Sequence, residues 1–391
     1  MRAVSNVLRK ERLFTPGPTP LHPRVQEALS RPIPHHRSEE FRACFRECRT
    51  ELQKFLKTSG DVLTLTCSGS GAMEAAVVNT VAPGEPLLAL VAGHFGRRWA
   101  DIGKAHGRDA RTLEAPWGEA VPPADVARAL DRDPAIRAVF VQHSESSTGA
   151  RHDVEALAAL IRDRPGTLLV VDAISGAGAM PLHTEAWGVD LVVVGSQKAL
   201  SLPPGLAFLA VSAKAWSRIE GCPSPRFYFD LLRERKGQGE GSSAFTPGIA
   251  HVVALRAALQ VVAELGGVDA LVANAATLAG MTRAAARALG LPLLSPGHAG
   301  DALTALRPPP GIEAREIVQS LKADFAATVA GGQGPLAGKI FRIAHLGYYD
   351  AIDILGLLGA LEVVLGRLGH RFVPGSGGAA AQEALSGRIG G

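Results

Sequence analysis

Cysteine is scarce in this chain: four among 391 residues, at positions 44, 48, 67 and 222. That number and spacing supply neither a disulfide framework nor the paired spacing of a structural zinc site. Reduced thiols and a cytoplasmic setting are the expectation. No apolar run approaches the roughly 18 residues that a membrane span needs, and the N-terminus lacks the apolar core of a signal peptide. A membrane role is therefore not expected. Nor is there a large surplus of charge. Lys and Arg number 41 against 37 Asp and Glu, a net of +4, which predicts no more than a mild attraction for anionic substrates. Arginine-rich stretches at 42–49 and 226–236 lack aromatic interleaving or a nucleic-acid motif, so a nucleic-acid partner is not expected either. His35 and His36 are adjacent, a spacing at which side chains rarely converge on one ion, and no clustered third ligand follows; no metal site is expected. The chain has no internal repeat.

Hydrophobic residues make up 47% of the sequence, enough for two domains and a large core. Between residues 60 and 215 buried-strand runs alternate with helical stretches, which predicts an α/β fold built on a mostly parallel, doubly wound sheet. Strands are expected at Asp61–Thr66, Glu85–Val91, Ala138–Gln142, Leu168–Asp172, Leu191–Gly195 and Leu206–Ser212. Residues 221–248 read as a long irregular segment. Helical periodicity resumes from His251 to about Leu289. Strands are expected again at 302–306, 326–330 and 339–344, with helices at 313–325 and 350–366. The chain divides into an N-terminal arm (1–20), a large domain (21–265), a smaller α+β domain (266–373) and a disordered tail rich in Gly, Ala and Ser (374–391). Within the arm, residues 1–13 read as mobile. The proline-rich run Phe14–Pro20 reads as a rigid extended segment that could cross a surface, including that of a partner subunit.

The chemistry-bearing residues fall at the carboxyl ends of the strands, where open α/β sheets place ligands. Leu191-Val192-Val193-Val194 runs into Gly195-Ser196-Gln197-Lys198, and Pro203-Pro204-Gly205 forces a second turn. A lysine held there becomes a nucleophile towards carbonyls if its surroundings lower its pKa. Asp172 ends the Leu168–Val171 run. Paired with Lys198 it suits a pyridoxal phosphate site, with the lysine as Schiff-base carrier and the aspartate on the pyridinium nitrogen. Asp172-Ala173-Ile174-Ser175 also suits a helix N-cap, and the two roles are compatible. Cys67-Ser68-Gly69-Ser70-Gly71 is a small-residue turn before a helix, suited to phosphate or serving as a plain strand-to-helix turn. Phe95, between two glycines, could stack on a flat ring or plug the core. Arg342 stands mid-strand among apolar residues, where a guanidinium is costly unless it meets an anion or a protein carboxylate.

These motifs resemble those of the class V aminotransferases of fold-type I, in the alanine–glyoxylate and serine–glyoxylate branch. The resemblance runs through Thr15-Pro16-Gly17-Pro18-Thr19, His35-His36-Arg37-Ser38, Ser68–Glu74, Glu145-Ser146-Ser147-Thr148-Gly149, Val171-Asp172, Gly195–Leu200 and Gly338–Ile343. It implies pyridoxal 5'-phosphate bound through Lys198, with Asp172 as pyridinium partner. Ser68, Gly69, Ser70 and Gln197 match phosphate-holding positions, Phe95 the ring-stacking position, and Ser146 a position near the phenolic oxygen. Thr246 matches a residue that reaches the phosphate from the other subunit, and Arg342 the substrate-carboxylate arginine. Ser243 departs from relatives that carry a tyrosine there. The implied activity is transfer of an amino group from a small amino acid, alanine or serine, to glyoxylate or pyruvate by a homodimer with shared active sites. A cysteine desulfurase would need a nucleophilic cysteine near the small domain, and none follows Cys222. A catalytically silent binding protein would be expected to lose the lysine or the aspartate, or to gain a DNA-binding domain.

Overall fold

The computed structural model describes residues 8–389. Seven strands form the main sheet: β1 (Asp61–Leu65), β2 (Pro86–Val91), β3 (Asp109–Glu114), β4 (Ala138–Gln142), β5 (Leu168–Asp172), β6 (Leu191–Gly195) and β7 (Ala207–Val211). Their spatial order is β1-β7-β6-β5-β4-β2-β3. Only β7 runs antiparallel to its neighbours β1 and β6; the other pairings are parallel. Every residue of β4 to β7 is buried, because helices cover both faces. Such strands read as continuous apolar runs rather than as alternations. β3 was not foreseen: it is a polar edge strand, Asp-Ala-Arg-Thr-Leu-Glu, with no buried residue.

One core cluster joins the sheet to helices Glu39–Phe55, Pro123–Arg132, Val154–Arg162 and Ile249–Glu264. The other face packs on Gly69–Thr80, His94–Ala105 and Ala213–Glu220. A separate core lies around an antiparallel sheet ordered Leu303–Leu306, Phe341–Ala344, Ala330–Gly331.

Four expectations need correction. Segment 221–248 is not irregular throughout, since Leu231–Gly239 is a helix. Its inward face carries Glu234 and Gln238, so no apolar stripe marked it. Gln238 accepts from the Thr64 N–H at 2.9 Å and donates to the Thr64 carbonyl at 2.8 Å, giving the edge strand β1 the partner it lacks on that side. The long helix after His251 is two, Ile249–Glu264 and Val268–Ala288, bent by 76°. Gly266 and Gly267 take positive φ at the break, +102° and +88°. Among the described residues no single helix is long and apolar enough to cross a membrane.

The tail expected to be disordered is helical over Ser376–Ile389. Alanine favours helix, and small residues let the backbone approach its neighbours closely. Ala381 is buried in this second core, and the Glu362 carboxylate accepts from the amides of Gly375 and Gly378. The arm also differs from expectation. Residues 1–7 of the mobile stretch lie outside the described residues. Arg12–Leu13, however, pairs in parallel with Ala327–Thr328, and the following run crosses this chain's own sheet ends.

Candidate active site

The site lies at the carboxyl ends of β1, β2, β4, β5 and β6. Lys198 sits in a loop that has little freedom. The Ser196 hydroxyl donates to the Pro203 carbonyl at 2.7 Å, and the Ser201 amide donates to the Lys198 carbonyl at 3.0 Å. Ser201 takes a left-handed conformation, φ +52°, to close that turn. The lysine Nζ donates to the Pro16 carbonyl, and Thr19 donates from its hydroxyl to the Lys198 carbonyl at 2.9 Å. A β-carbon on Gly17 would lie 2.5 Å from Nζ. Phe14, at the head of this strap, is buried and stacks on Tyr349 at 5.7 Å. The proline-rich run is therefore a strap from strand Ala327–Thr328 to the lysine.

Asp172 and Lys198 respond to burial in opposite senses. Desolvation pushes the Asp172 carboxyl up to about 7, partly countered by the Ile174 amide that donates to it at 2.8 Å. Desolvation brings the Lys198 ammonium down to about 8, against the pull of Asp172. Both groups thus titrate near neutrality, the condition general acid–base chemistry needs. Asp172 also has the cap-like contact considered from sequence, through Ile174.

Ile174 ties three loops together. A β-carbon on Gly69 would meet its Cδ1 at 2.6 Å, and one on Gly195 would meet its Cγ2 at 3.2 Å. Ser68 is the N-cap of helix Gly69–Thr80, yet its side chain makes no capping bond. Gly71 and Ala72 donate to the Ser68 carbonyl, while the first amides of the helix lie outside its own hydrogen-bond ladder. Gln197 keeps a buried side-chain oxygen without a partner. A free hydroxyl, helix-start amides and an unsatisfied amide side chain suit a phosphate. Together with Asp172 and Lys198 they fit a flat, phosphate-bearing aldehyde.

Phe95 is half-buried at the start of helix His94–Ala105. Arg98, one turn on, lies 4.8 Å over its ring and donates to the Ser70 hydroxyl at 2.7 Å. Sequence reasoning passed over Arg98, although its i,i+3 spacing from Phe95 puts both on one face. It also missed Glu145, which is fully buried and accepts from the amides of Phe95, Gly96 and Ser147 and from the Ser147 hydroxyl. The available signal was a lone carboxylate inside a run of small and hydroxyl residues at a strand end.

Ser146 is buried, and its carbonyl accepts from Arg342. Arg342 otherwise donates to the Gly331 carbonyl, from Nε at 2.9 Å and Nη2 at 2.6 Å. Among the described residues no carboxylate pairs with it. Burial lowers its pKa to about 10, and Glu145 is the acid that opposes this. Two of its five N–H groups remain for an incoming anion. Thr246 does not join this cluster within the chain; it lies exposed on the loop before helix Ile249–Glu264. Ser243 donates its hydroxyl to the Phe245 carbonyl.

Comparison with known proteins bears on this arrangement. The family model described as aminotransferase class-V matches residues 22–334. A Synechococcus sp. protein named soluble hydrogenase, small subunit, is 39% identical, covering 96% of this chain and 99% of its own length. Serine–glyoxylate aminotransferase of Methylorubrum extorquens is 34% identical over 96% of both chains. The structure of an aspartate aminotransferase of subgroup IV from Thermus thermophilus superposes with a TM-score of 0.85 at 37% identity, covering 92% of this chain and 100% of that one. With the lysine and aspartate at these strand ends, the match over most of its length makes this chain an aminotransferase of class V, with the fold-type I architecture.

Proposed function

We propose that this aminotransferase uses pyridoxal 5'-phosphate and moves an amino group from a small amino acid, alanine or serine, to glyoxylate or pyruvate. The observation that carries the proposal is the placement of buried Asp172 and half-buried Lys198 at the ends of the adjacent parallel strands β5 and β6, with the aspartate lifted to about 7 and the lysine lowered to about 8. When bound, the cofactor supplies an aldehyde to carry the amino group and a ring that accepts the electron pair from the substrate's Cα–H bond.

The protein supplies the rest. Lys198 Nζ holds the cofactor and, once freed, moves the proton at the substrate Cα; a pKa near 8 leaves a useful neutral fraction. Asp172 would hold the ring nitrogen. Ser68, Gly69, Ser70 and Gln197 would hold the phosphate, Phe95 would stack on the ring, and Ser146 would serve its phenolic oxygen. Arg342 orients the substrate carboxylate with its unspent N–H groups, fork to fork. The strap at Pro16 and Gly17 roofs the lysine and leaves little room, which supports a small side chain on the donor. The serine–glyoxylate relative supports the same substrate class.

The thiols argue against desulfurase chemistry. Cys44, Cys48 and Cys222 are buried, and burial pushes Cys67 up to about 12, far from a thiolate. Four free thiols also support a cytoplasmic setting. A homodimer with shared sites is supported by an exposed aromatic patch. Phe227 and Tyr228 are 71% and 45% exposed and pack with Phe245 beside Thr246. Thr246 would then reach the partner's phosphate.

Borohydride reduction of the cofactor-saturated protein tests the core of the proposal: the cofactor is expected on the peptide containing Lys198. Labelling at another lysine, or none, overturns it. Single-turnover assays of alanine, serine and other amino acids against glyoxylate, pyruvate and 2-oxoglutarate then test the substrate class. A verified monomer with full specific activity would remove the shared-site dimer.

A further inference from the structure

The loop after β4 carries a second acid, Glu145, with no hydrogen bond or ion pair to Lys198 among the described residues. It is fully buried, and four donors converge on its carboxylate. The amides of Phe95 and Gly96 reach it at 3.1 and 2.9 Å, the Ser147 amide at 3.1 Å and the Ser147 hydroxyl at 2.5 Å. The Ser147 hydroxyl oxygen also accepts from the His94 amide at 3.0 Å. The opening amides of helix His94–Ala105 are therefore held from another loop, a helix start favouring negative charge. The approach is close. A β-carbon on Gly93 would fall 2.4 Å from Ser147 Oγ and 2.7 Å from Glu145 Cδ, so only glycine fits there. Gln142, at the end of β4, adds a bond from its Nε2 to the Phe95 carbonyl at 2.9 Å. The backbone of Phe95 is thus fixed at its amide and its carbonyl.

The same turn faces strand Phe341–Ala344. The carbonyl of Ser146, the residue after Glu145, accepts from Arg342 Nη1. Thr148 and Gly149 donate back to the Glu145 carbonyl, closing the turn that presents Ser146. Glu145 is also the acid whose charge favours the protonated state of Arg342.

We infer that Glu145 is a positioning residue that sets two parts of the proposed site at once: the seat of the ring at Phe95 and the aim of the substrate arginine, Arg342. This rests on the function proposed above. It implies that cofactor retention and substrate-carboxylate affinity are coupled through one buried carboxylate. Replacing it with glutamine keeps the shape but turns one of two acceptor oxygens into a donor. At least one of the converging donors then faces another donor, which strains both attachments.

The test compares wild type with Glu145→Gln, Phe95→Leu and Arg342→Lys. Three quantities are measured: the pyridoxal phosphate dissociation constant by fluorescence titration, the visible circular dichroism of the bound cofactor, and acetate affinity of the cofactor-free protein by calorimetry. Phe95→Leu is expected to weaken the cofactor alone and Arg342→Lys acetate alone. Glu145→Gln is expected to weaken both, each by about tenfold, because small displacements in an oriented site are costly. It should also alter the dichroism. If Glu145→Gln lowers only the melting temperature and leaves the two affinities and the dichroism at wild-type values, the acid is structural and the inference fails. Should that variant not fold, Ser147→Ala removes one donor to Glu145 and the acceptor for His94. Smaller shifts of both affinities in the same direction are expected, and their absence overturns the inference. Wild-type protein that binds no pyridoxal phosphate would instead overturn the function proposed above.

Discussion

Lys198 donates its Nζ hydrogen to the carbonyl of Pro16, a residue 182 positions earlier in the chain. The strap that makes this contact begins where Arg12–Leu13 lies beside Ala327–Thr328 and ends on the lysine at the end of β6. Position 17 is the tightest point. Alanine there would place a methyl group 2.5 Å from Nζ, on a backbone with φ +126°. Gly17→Ala is expected to cut turnover by about 100-fold, since the reacting nitrogen is displaced, and to slow borohydride labelling of Lys198. Stopped-flow absorbance and peptide mapping provide the check; unchanged labelling would show that the strap yields.

Asp172 should leave a mark on stability as well as on rate. Its carboxyl is lifted from an ordinary 3.8 to about 7, so the folded state keeps a proton that the unfolded chain releases across that window. The contribution is fully present below pH 4 and is lost as pH rises towards 7. In the cofactor-free protein, wild type should lose about 1.4 kcal/mol per pH unit relative to Asp172→Asn within that window. Urea unfolding at several pH values measures the difference. Asp172→Asn should also depress turnover far more than a missing helix cap, worth ~1 kcal/mol of stability.

Arg342 meets backbone carbonyls rather than a protein acid. Arg342→Lys keeps the charge and loses the fork, so the KM for the amino donor should rise by about tenfold or more while the melting temperature barely moves. Arg342→Ala leaves the Ser146 and Gly331 carbonyls unpaired and should cost about 1–3 kcal/mol of stability. The loss of a buried ion pair, about 3–5 kcal/mol, is not expected. Half-reaction kinetics and thermal unfolding of the same two variants decide the matter.

Gln238 offers a test remote from the chemistry. Replacing it with alanine strips both hydrogen bonds from Thr64 and should destabilise the fold by about 2 kcal/mol. Chemical denaturation reads this directly, and amide exchange at Thr64 should speed up.

The residues that sequence reasoning found and missed differ in a physical way. Lys198 and Asp172 stand out because each ends a run of buried β-branched residues, and that pattern is local. Arg342 stands out for a similar reason, a cation between Phe341 and Ile343. Glu145 does not, because its significance is a convergence of donors that includes the amides of Phe95 and Gly96, a contact between loops fifty positions apart. Leu231–Gly239 was missed because its buried face is polar, and β3 because its exposed face is. The bend at Gly266-Gly267 shows the opposite failure. Periodicity ran through two glycines whose positive φ ends one helix and starts another. The tail was judged by its low complexity, but alanine-rich sequence needs only a surface to fold against, and helix Val268–Ala288 supplies one.

The reversed strand β7 has a consequence for how the chain matures. β1 has one ladder neighbour in the sheet, and that neighbour is β7. Strands β2 to β6 can assemble among themselves as they are synthesised, but residues 61–65 must wait for residues 207–211. Long-range pairing of this kind is slow because the intervening loop must close first. Ser68, Gly69 and Ser70 ride on the end of β1. A ribosome-bound chain that stops short of residue 207 therefore already carries Asp172 and Lys198, but the strand that leads into the phosphate turn still lacks its ladder neighbour.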